Sequence, residues 1–399
     1  MTVTGRDRHR PNGQPTIRKG VRGGAVLLLA AALFLGGCSG NTNSSGPAAP
    51  LPTGQTGSIE ATSNTGNCYV SDKNPCSSST TGTNPITALT TLSSSGNNYL
   101  YLGDSAGNID EATVTSTTPP TPGSCVTTGS GNKILALAAN SVVMGSKVEK
   151  VLLYATSGGI SSITPTSCSS STLEPITTSI TNASGLTYNA KAGEFVGVTS
   201  NAYYFTCSGN PSITCQTPQR LPSLQDASPS ITAIASDPKR RLVYVLAIGA
   251  STNRIYFYYV SGTTLTYLGN YSGLELNYPS GVALFRGANP TQNFCTTGPC
   301  TFMDVTNTGN STITQYVLTY SRSGAQTSVS VNQFNNAYFD CDLIDSAAIA
   351  AFPNYPTTNP LPTPDVFVGE QGLSTGPCMG ISSGTSYGNN VTAYTVVGE

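Results

Sequence analysis

Ile231-Thr232-Ala233-Ile234, then Ser236-Asp237-Pro238-Lys239-Arg240-Arg241, then Leu242-Val243-Tyr244-Val245, is the stretch on which the fold turns. Two short apolar and β-branched runs flank six residues of turn chemistry, in which Pro238 presets φ and Asp237 can bond its own backbone. The reading is strand, turn, strand. A third strand opens from the turn at Asn253-Arg254-Ile255.

The same succession recurs in both directions. Further first strands are Ile86-Thr87-Ala88-Leu89, Ile134-Leu135-Ala136-Leu137, Ser184-Gly185-Leu186-Thr187, Ser280-Gly281-Val282-Ala283 and Ala347-Ala348-Ile349. With Ala88, Ala136, Leu186, Ala233, Val282 and Ala348 as anchors, the spacings are 48, 50, 47, 49 and 66. Second strands follow at Tyr99–Gly103, Val151–Ala155, Phe195–Val198, Phe302–Val305 and Val366–Gly369. Third strands open at Gly107-Asn108-Ile109, Gly158-Gly159-Ile160, Ser311-Thr312-Ile313 and Asn389-Asn390-Val391. The long last interval carries a Pro- and Asn-rich insertion, Phe352 to Pro364, read as a loop. A period near 48 with about four strands describes one blade of a β-propeller, too thin to bury its own faces and stable only when stacked. The fold class is therefore all-β, a β-propeller of six four-stranded blades. A seventh remains open in residues 58–83, although Ser58-Ile59-Glu60-Ala61 reads better as a strand that closes the last blade. The propeller domain spans 58–399.

The segment before it has a different character. Six of the 18 basic residues and one of the 19 acids lie before Cys38. They precede an apolar run of 11 residues, Ala25 to Leu35, too short for a permanent membrane span. A basic start, a short apolar run and the small residues Gly36-Gly37 make residues 1–37 a secretory signal. Residues 38–57 are small, polar and Pro-containing and read as a flexible tether.

The ending Leu35-Gly36-Gly37-Cys38 resembles the lipobox of bacterial lipoproteins. The resemblance implies cleavage before Cys38, acylation of its sulfur and amino group, and tethering to the cell envelope. Ser39 resembles the sorting signal for the outer membrane in diderm bacteria. Phe302-Met303-Asp304-Val305-Thr306-Asn307 and Asn310 to Tyr316 resemble the tyrosine-valine-threonine-asparagine blades of bacterial surface propellers, and lactonase-like and NHL-type blades. Ser236 to Val245 resembles the turn between the first and second strands of such repeats. Asp304 departs from the pattern, standing where the family has an apolar or aromatic residue.

Eleven cysteines become ten once Cys38 is lipidated, an even number suited to disulfides in an exported chain. Parity leaves connectivity open. Spacing suggests Cys68 with Cys76, Cys207 with Cys215 and Cys295 with Cys300, then Cys125 with Cys168, leaving Cys341 with Cys378.

Charge is scarce, 9% of residues against about 25% in ordinary soluble domains. From Cys38 onward twelve basic residues face eighteen acids, a balance that argues against nucleic acid as a partner. A surface of hydroxyls and amides titrates little, which leads us to expect an acidic or extracellular-facing environment. The only histidine, His9, lies in the signal, so Ser-His-Asp, Cys-His and His-ligated zinc chemistry are all excluded from the mature chain. Gly103-Asp104-Ser105-Ala106-Gly107 and Gly384-Thr385-Ser386-Tyr387-Gly388 match G-x-S-x-G, and Ser236 with Lys239 matches S-x-x-K; in this strand context all three are turns. Asp340, Asp342 and Asp345 form the densest carboxylate group and are the candidates for a calcium ion, the one cofactor considered. Asp104 and Asp110 are a lesser pair of the same kind, and Lys239-Arg240-Arg241 is the only basic run, read as a solvated turn. Tyr256, Tyr258, Tyr259 and Tyr267 crowd one repeat, as strand packing or as an exposed grip on a sugar or peptide.

These observations lead us to expect a lipid-anchored, non-enzymatic binding or scaffold module at the cell envelope, its partner an envelope protein or a polysaccharide. The alternative is a lactonase-like hydrolase using carboxylates and a divalent cation.

Overall fold

The chain divides at Gly37/Cys38 into two units, and the fold described here is that of the second. The computed structural model describes residues 58–66, 84–114, 123–127, 132–144, 147–164, 173–208, 213–287, 300–310, 312–323, 326–333, 338–339, 346–352, 366–370 and 390–397.

Strand β1, Ser58–Gly66, comes first. A sheet follows from β2 (Ile86–Ser94), β3 (Asn97–Asp104), β4 (Asn108–Val114) and β5 (Gly123–Thr127). The second sheet holds β6 (Ala136–Met144), β7 (Lys147–Thr156), β8 (Gly159–Ile163) and β9 (Leu173–Thr177). The third holds β10 (Ala183–Asn189), β11 (Glu194–Thr199) and β12 (Tyr203–Ser208), edged by the two-residue strands β13 (Thr214–Cys215) and β14 (Gln219–Arg220). The fourth holds β15 (Ser230–Ser236), β16 (Leu242–Ile248), β17 (Arg254–Ser261) and β18 (Thr264–Tyr271). The fifth holds β19 (Pro279–Gly287), β20 (Cys300–Asn307), β21 (Thr312–Ser323), β22 (Gln326–Gln333) and the short β23 (Tyr338–Phe339). The sixth holds β24 (Ser346–Ala351), β25 (Val366–Glu370) and β26 (Asn390–Val397). Each sheet is an antiparallel meander, and β1 completes the sixth in the order β1-β26-β25-β24.

The arrangement is propeller-like. The innermost strands β2, β6, β10, β15, β19 and β24 touch in that order, and β24 returns to β2. One apolar cluster fills each junction, from the first and second sheets round to the sixth and first. This placement explains why second strands are apolar without alternation. Val243, Val245 and Ala247 pack toward the third sheet, whereas Leu242, Tyr244 and Leu246 pack toward the fifth. A strand buried on both faces has no polar side to show.

Crowding at the axis sets the composition of the inner strands. A register shift recurs near the start of β2, β10, β15, β19 and β24. Such bulges tighten the twist that lets neighbouring sheets fan apart. In β10 the shift ends on Gly185, where an added Cβ would lie 2.9 Å from the backbone nitrogen of Ile234 in the next sheet. Small hydroxyls then join neighbours: Thr87 donates to the Ile134 carbonyl at 2.5 Å and Thr232 to the Pro279 carbonyl at 2.8 Å. Residues 58–66 do not add a further sheet; they run antiparallel to β26, so segments from opposite ends of the chain close the ring.

Candidate functional site

Several residues singled out in the sequence prove structural. Cys207 and Cys215 form a disulfide across the β12–β13 pair. Cys125 and Cys300 are also disulfide-bonded, to partners outside the described residues. Cys38, Cys68, Cys76, Cys168, Cys295, Cys341 and Cys378 lie outside them too, as do Asp340, Asp342, Asp345 and the Gly384–Gly388 motif. Among the described residues no three His, Cys, Asp or Glu side chains gather as a metal site. Asp104, in the first G-x-S-x-G match, caps the β3–β4 turn by accepting from the Ala106 and Asn108 amides at 2.9 and 2.7 Å. Burial raises the pKa of Asp110, and the nearby Asp104 raises it further. Of the tyrosine cluster, Tyr256 and Tyr258 are fully buried, so packing rather than an exposed grip accounts for most of it. Tyr259 alone of the four reaches solvent substantially.

The S-x-x-K segment is a turn with an interior role. Asp237 accepts from the Lys239 and Arg240 amides at 2.8 and 2.9 Å, and its other oxygen accepts from Tyr320 of the fifth sheet at 2.6 Å. Arg240 lies 3.5 Å from that carboxylate and stacks 3.4 Å above the Tyr320 ring. The basic run is thus not uniformly solvated: Lys239 and Arg241 are exposed, while Arg240 is turned inward. Burial, and then the Asp237 charge, push the Tyr320 hydroxyl far above its ordinary range, so it stays a donor. Asn189 occupies the matching turn of the third sheet. It accepts from the Ala192 amide at 2.8 Å and donates to the Arg240 and Leu242 carbonyls at 3.0 and 2.9 Å. Both turns brace the next sheet.

These turns surround a cavity of about 350 Å³ where the inner strands finish, here called the lower end. All six inner strands line it, with an apolar collar that includes Leu186, Ile234 and Ile349 above polar groups such as Thr91, Asn140 and Ser236, which lie nearer the strand ends. Thr91 and Ser236 are already engaged, with the Ala351 carbonyl and the Thr187 hydroxyl. The one carboxylate on this wall, Asp237, is consumed by its own turn.

The upper end, where the inner strands begin, is different. A groove of about 310 Å³ lies between the segment 179–182 ahead of β10 and the β11–β12 turn, with Tyr203 and Pro218 on its wall. Tyr203 is 41% exposed. Its position is fixed by the turn before it: Ala202 has φ +63°, donates its amide to the Thr199 carbonyl at 3.1 Å and accepts from the Leu221 amide at 2.9 Å. Tyr278 stands just before β19, as Asn182 stands just before β10, and both are left-handed at φ +50° and +54°. The Tyr278 carbonyl takes two bonds from Thr308, at 3.1 and 2.9 Å, while its side chain stays 60% exposed. A bulky residue in that backbone region is uncommon and is held there by its surroundings. Leu274 is fully exposed on the same loop. Among the described residues, three of the five exposed large apolar side chains therefore lie at the upper end. The sequence pointed to Tyr256, Tyr258, Tyr259 and Tyr267 and missed Tyr203 and Tyr278; the turn residues beside these two were the available signal.

Asp304, the departure from the repeat pattern, is wholly buried. It pairs across the sheet with Ala283 and Gln315, whose Nε2 donates to its Oδ1 at 2.9 Å. Its Oδ2 and the Gln315 Oε1 have no hydrogen-bond partner among the described residues. Burial pushes its carboxyl up to about 7, against the opposing effect of the Gln315 bond.

No protein-family model and no curated protein matches the chain. Among solved structures it is similar to that of AofleA from Arthrobotrys oligospora, at 12% identity over 82% of this chain and 86% of that one, with a TM-score of 0.42. The propeller-like description rests on the sheet order and the six packed junctions, not on this likeness.

Proposed function

We propose that this chain is a lipid-anchored propeller of six blades at the cell envelope, acting as a non-enzymatic binding module for a polysaccharide or protein held on its upper end. The single observation that supports this most is the character of that end: Tyr203, Leu274 and Tyr278 are exposed there, Tyr203 and Tyr278 at hydrogen-bonded turns, and Tyr203 beside a lining of hydroxyls and amides. Rigid amphipathic tyrosines lose little freedom when they bind, which makes them efficient contacts. The anchor reading rests on Leu35 to Cys38 and leaves the ring on a tether of about twenty residues.

A photoreactive phenylalanine analogue replacing Tyr278 in the producing cell tests the reading. Irradiation should give a discrete adduct with an envelope protein or glycan, and the same group at Tyr259 on the lower end should not. No adduct from Tyr278, or equal adducts from both positions, would refute it. In parallel, Cys38→Ser should move the protein from the membrane to the soluble fraction; retention on the membrane would refute the anchor.

A further inference from the structure

We infer that the groove beside Tyr203 is a subsite for an uncharged saccharide ring, which narrows the binding-module reading above and rests on it. The groove is lined by Ser179, Thr181, Asn182, Ser200 and Asn201, with Ile180, Thr199, Pro218 and Tyr203 completing the wall. No lining residue carries a formal charge. The side chains of Thr181, Asn182, Ser200 and Asn201 make no hydrogen bond to any other described residue, so donors and acceptors are available to a ligand without breaking a bond within the protein. Ser179 is engaged instead, with Thr177 at 2.7 Å. Amides and hydroxyls that both donate and accept match the vicinal hydroxyls of a sugar, which also do both. Tyr203 supplies the remaining requirement, an aromatic face for the apolar C–H side of the ring.

The site is built rather than incidental. Ala202 is locked between Thr199 and Leu221, and Tyr203 and Tyr204 pair with Arg220 and Gln219 of β14. The adjoining Cys207–Cys215 disulfide ties β13 to β12. A ligand therefore meets a platform already ordered, and binding loses little to reorganisation. The nearest formal charge in this register is Arg220, exposed and outside the lining. An uncharged ligand should bind with little dependence on it or on salt.

An array of uncharged hexose and N-acetylhexosamine oligosaccharides is the probe, followed by calorimetric titration of the best-retained one. Wild type should bind, and Tyr203→Ala should weaken binding about tenfold, as losing a stacking contact does. Tyr203→Phe should stay within about threefold of wild type, because the ring face is kept, and Asn201→Ala should weaken binding about fivefold by removing one hydrogen-bonding group. Arg220→Gln and 0.5 M salt should change little. Residues 201 and 203 are exposed, and unchanged melting of the variants separates lost binding from lost fold. The inference is overturned if no uncharged glycan is retained, if Tyr203→Ala binds like wild type, or if only anionic glycans bind and Arg220→Gln abolishes them. A protein adduct from position 278 together with no glycan binding would sink this inference and leave the binding-module reading standing. Loss of both would sink both.

Discussion

Replacing Asp304 with Asn should make the protein more stable near pH 8 and leave it almost unchanged near pH 4. Asp304 lies on the face of β20 that carries Phe302, toward the apolar junction of Ala283, Ile349, Val366 and Val368. Its carboxyl is pushed from 3.8 up to about 7, mainly by loss of water. Below pH 4 it is protonated in both folded and unfolded chains and carries no penalty. Between pH 4 and 7 the unfolded chain ionises while the folded chain keeps the proton, so stability falls as pH rises. Above pH 7 both are ionised and the loss is complete. About three pH units at 1.36 kcal/mol each give a loss on the order of 4 kcal/mol. The protonated acid can also donate to Gln315 Oε1, giving both unpartnered oxygens a role, and an Asn amide can make the same reciprocal pair. Denaturant unfolding of wild type and Asp304→Asn at pH 4, 6 and 8 checks this. The difference between the two chains removes the contributions of Asp110 and Glu194, whose carboxyls are also raised by burial. A variant equally destabilised at every pH, or one that tracks wild type through pH 8, would refute the reasoning. The direction is the one expected of a chain that works in acid, the environment that the scarcity of charge led us to expect.

Two further outcomes follow from the junctions between sheets. Asp237→Ala should lower stability by about 3 kcal/mol, since it leaves Arg240 and Tyr320 without their buried partner, whereas Asp237→Asn should lose only about 1 kcal/mol because Asn189 already performs the same turn-capping role in the third sheet; equal losses in chemical denaturation would contradict this. Gly185→Ala should destabilise by about 1–3 kcal/mol, because its Cβ would press on the backbone of Ile234, while Ala at Gly193, where nothing lies near but φ is +74°, should cost about 1 kcal/mol through backbone strain alone. Thermal melts that rank Gly193→Ala as the more damaging would overturn this account of crowding at the axis.

Much of the fold was legible because its logic is local and repeated. Every expected second strand falls inside an observed one, since continuous apolar runs such as Leu242–Leu246 signal burial on both faces. The second repeat shows the limit of boundary reading: Ile134 and Leu135 precede β6, which starts at Ala136. The third strand of the third repeat was not marked. Tyr203–Ser208 leaves an ordinary turn of Ser200 and Asn201, with no Gly or Pro to announce it. The site was far less legible. Tyr203 and Tyr256 are the same residue type on similar strands, and only the neighbouring sheet decides that one faces solvent and the other the core.

By itself, then, the sequence determined the repeating unit, its strands and turns, the absence of histidine chemistry after His9, and the oddity of Asp304. These depend on residue type and spacing, which the chain carries everywhere along its length. Tertiary structure decided which tyrosines stand free, that Arg240 turns inward to Tyr320, and that β1 closes the sixth sheet. Those outcomes depend on contacts between segments far apart in the chain, where each sheet's exposed face is set by what the next sheet lays against it.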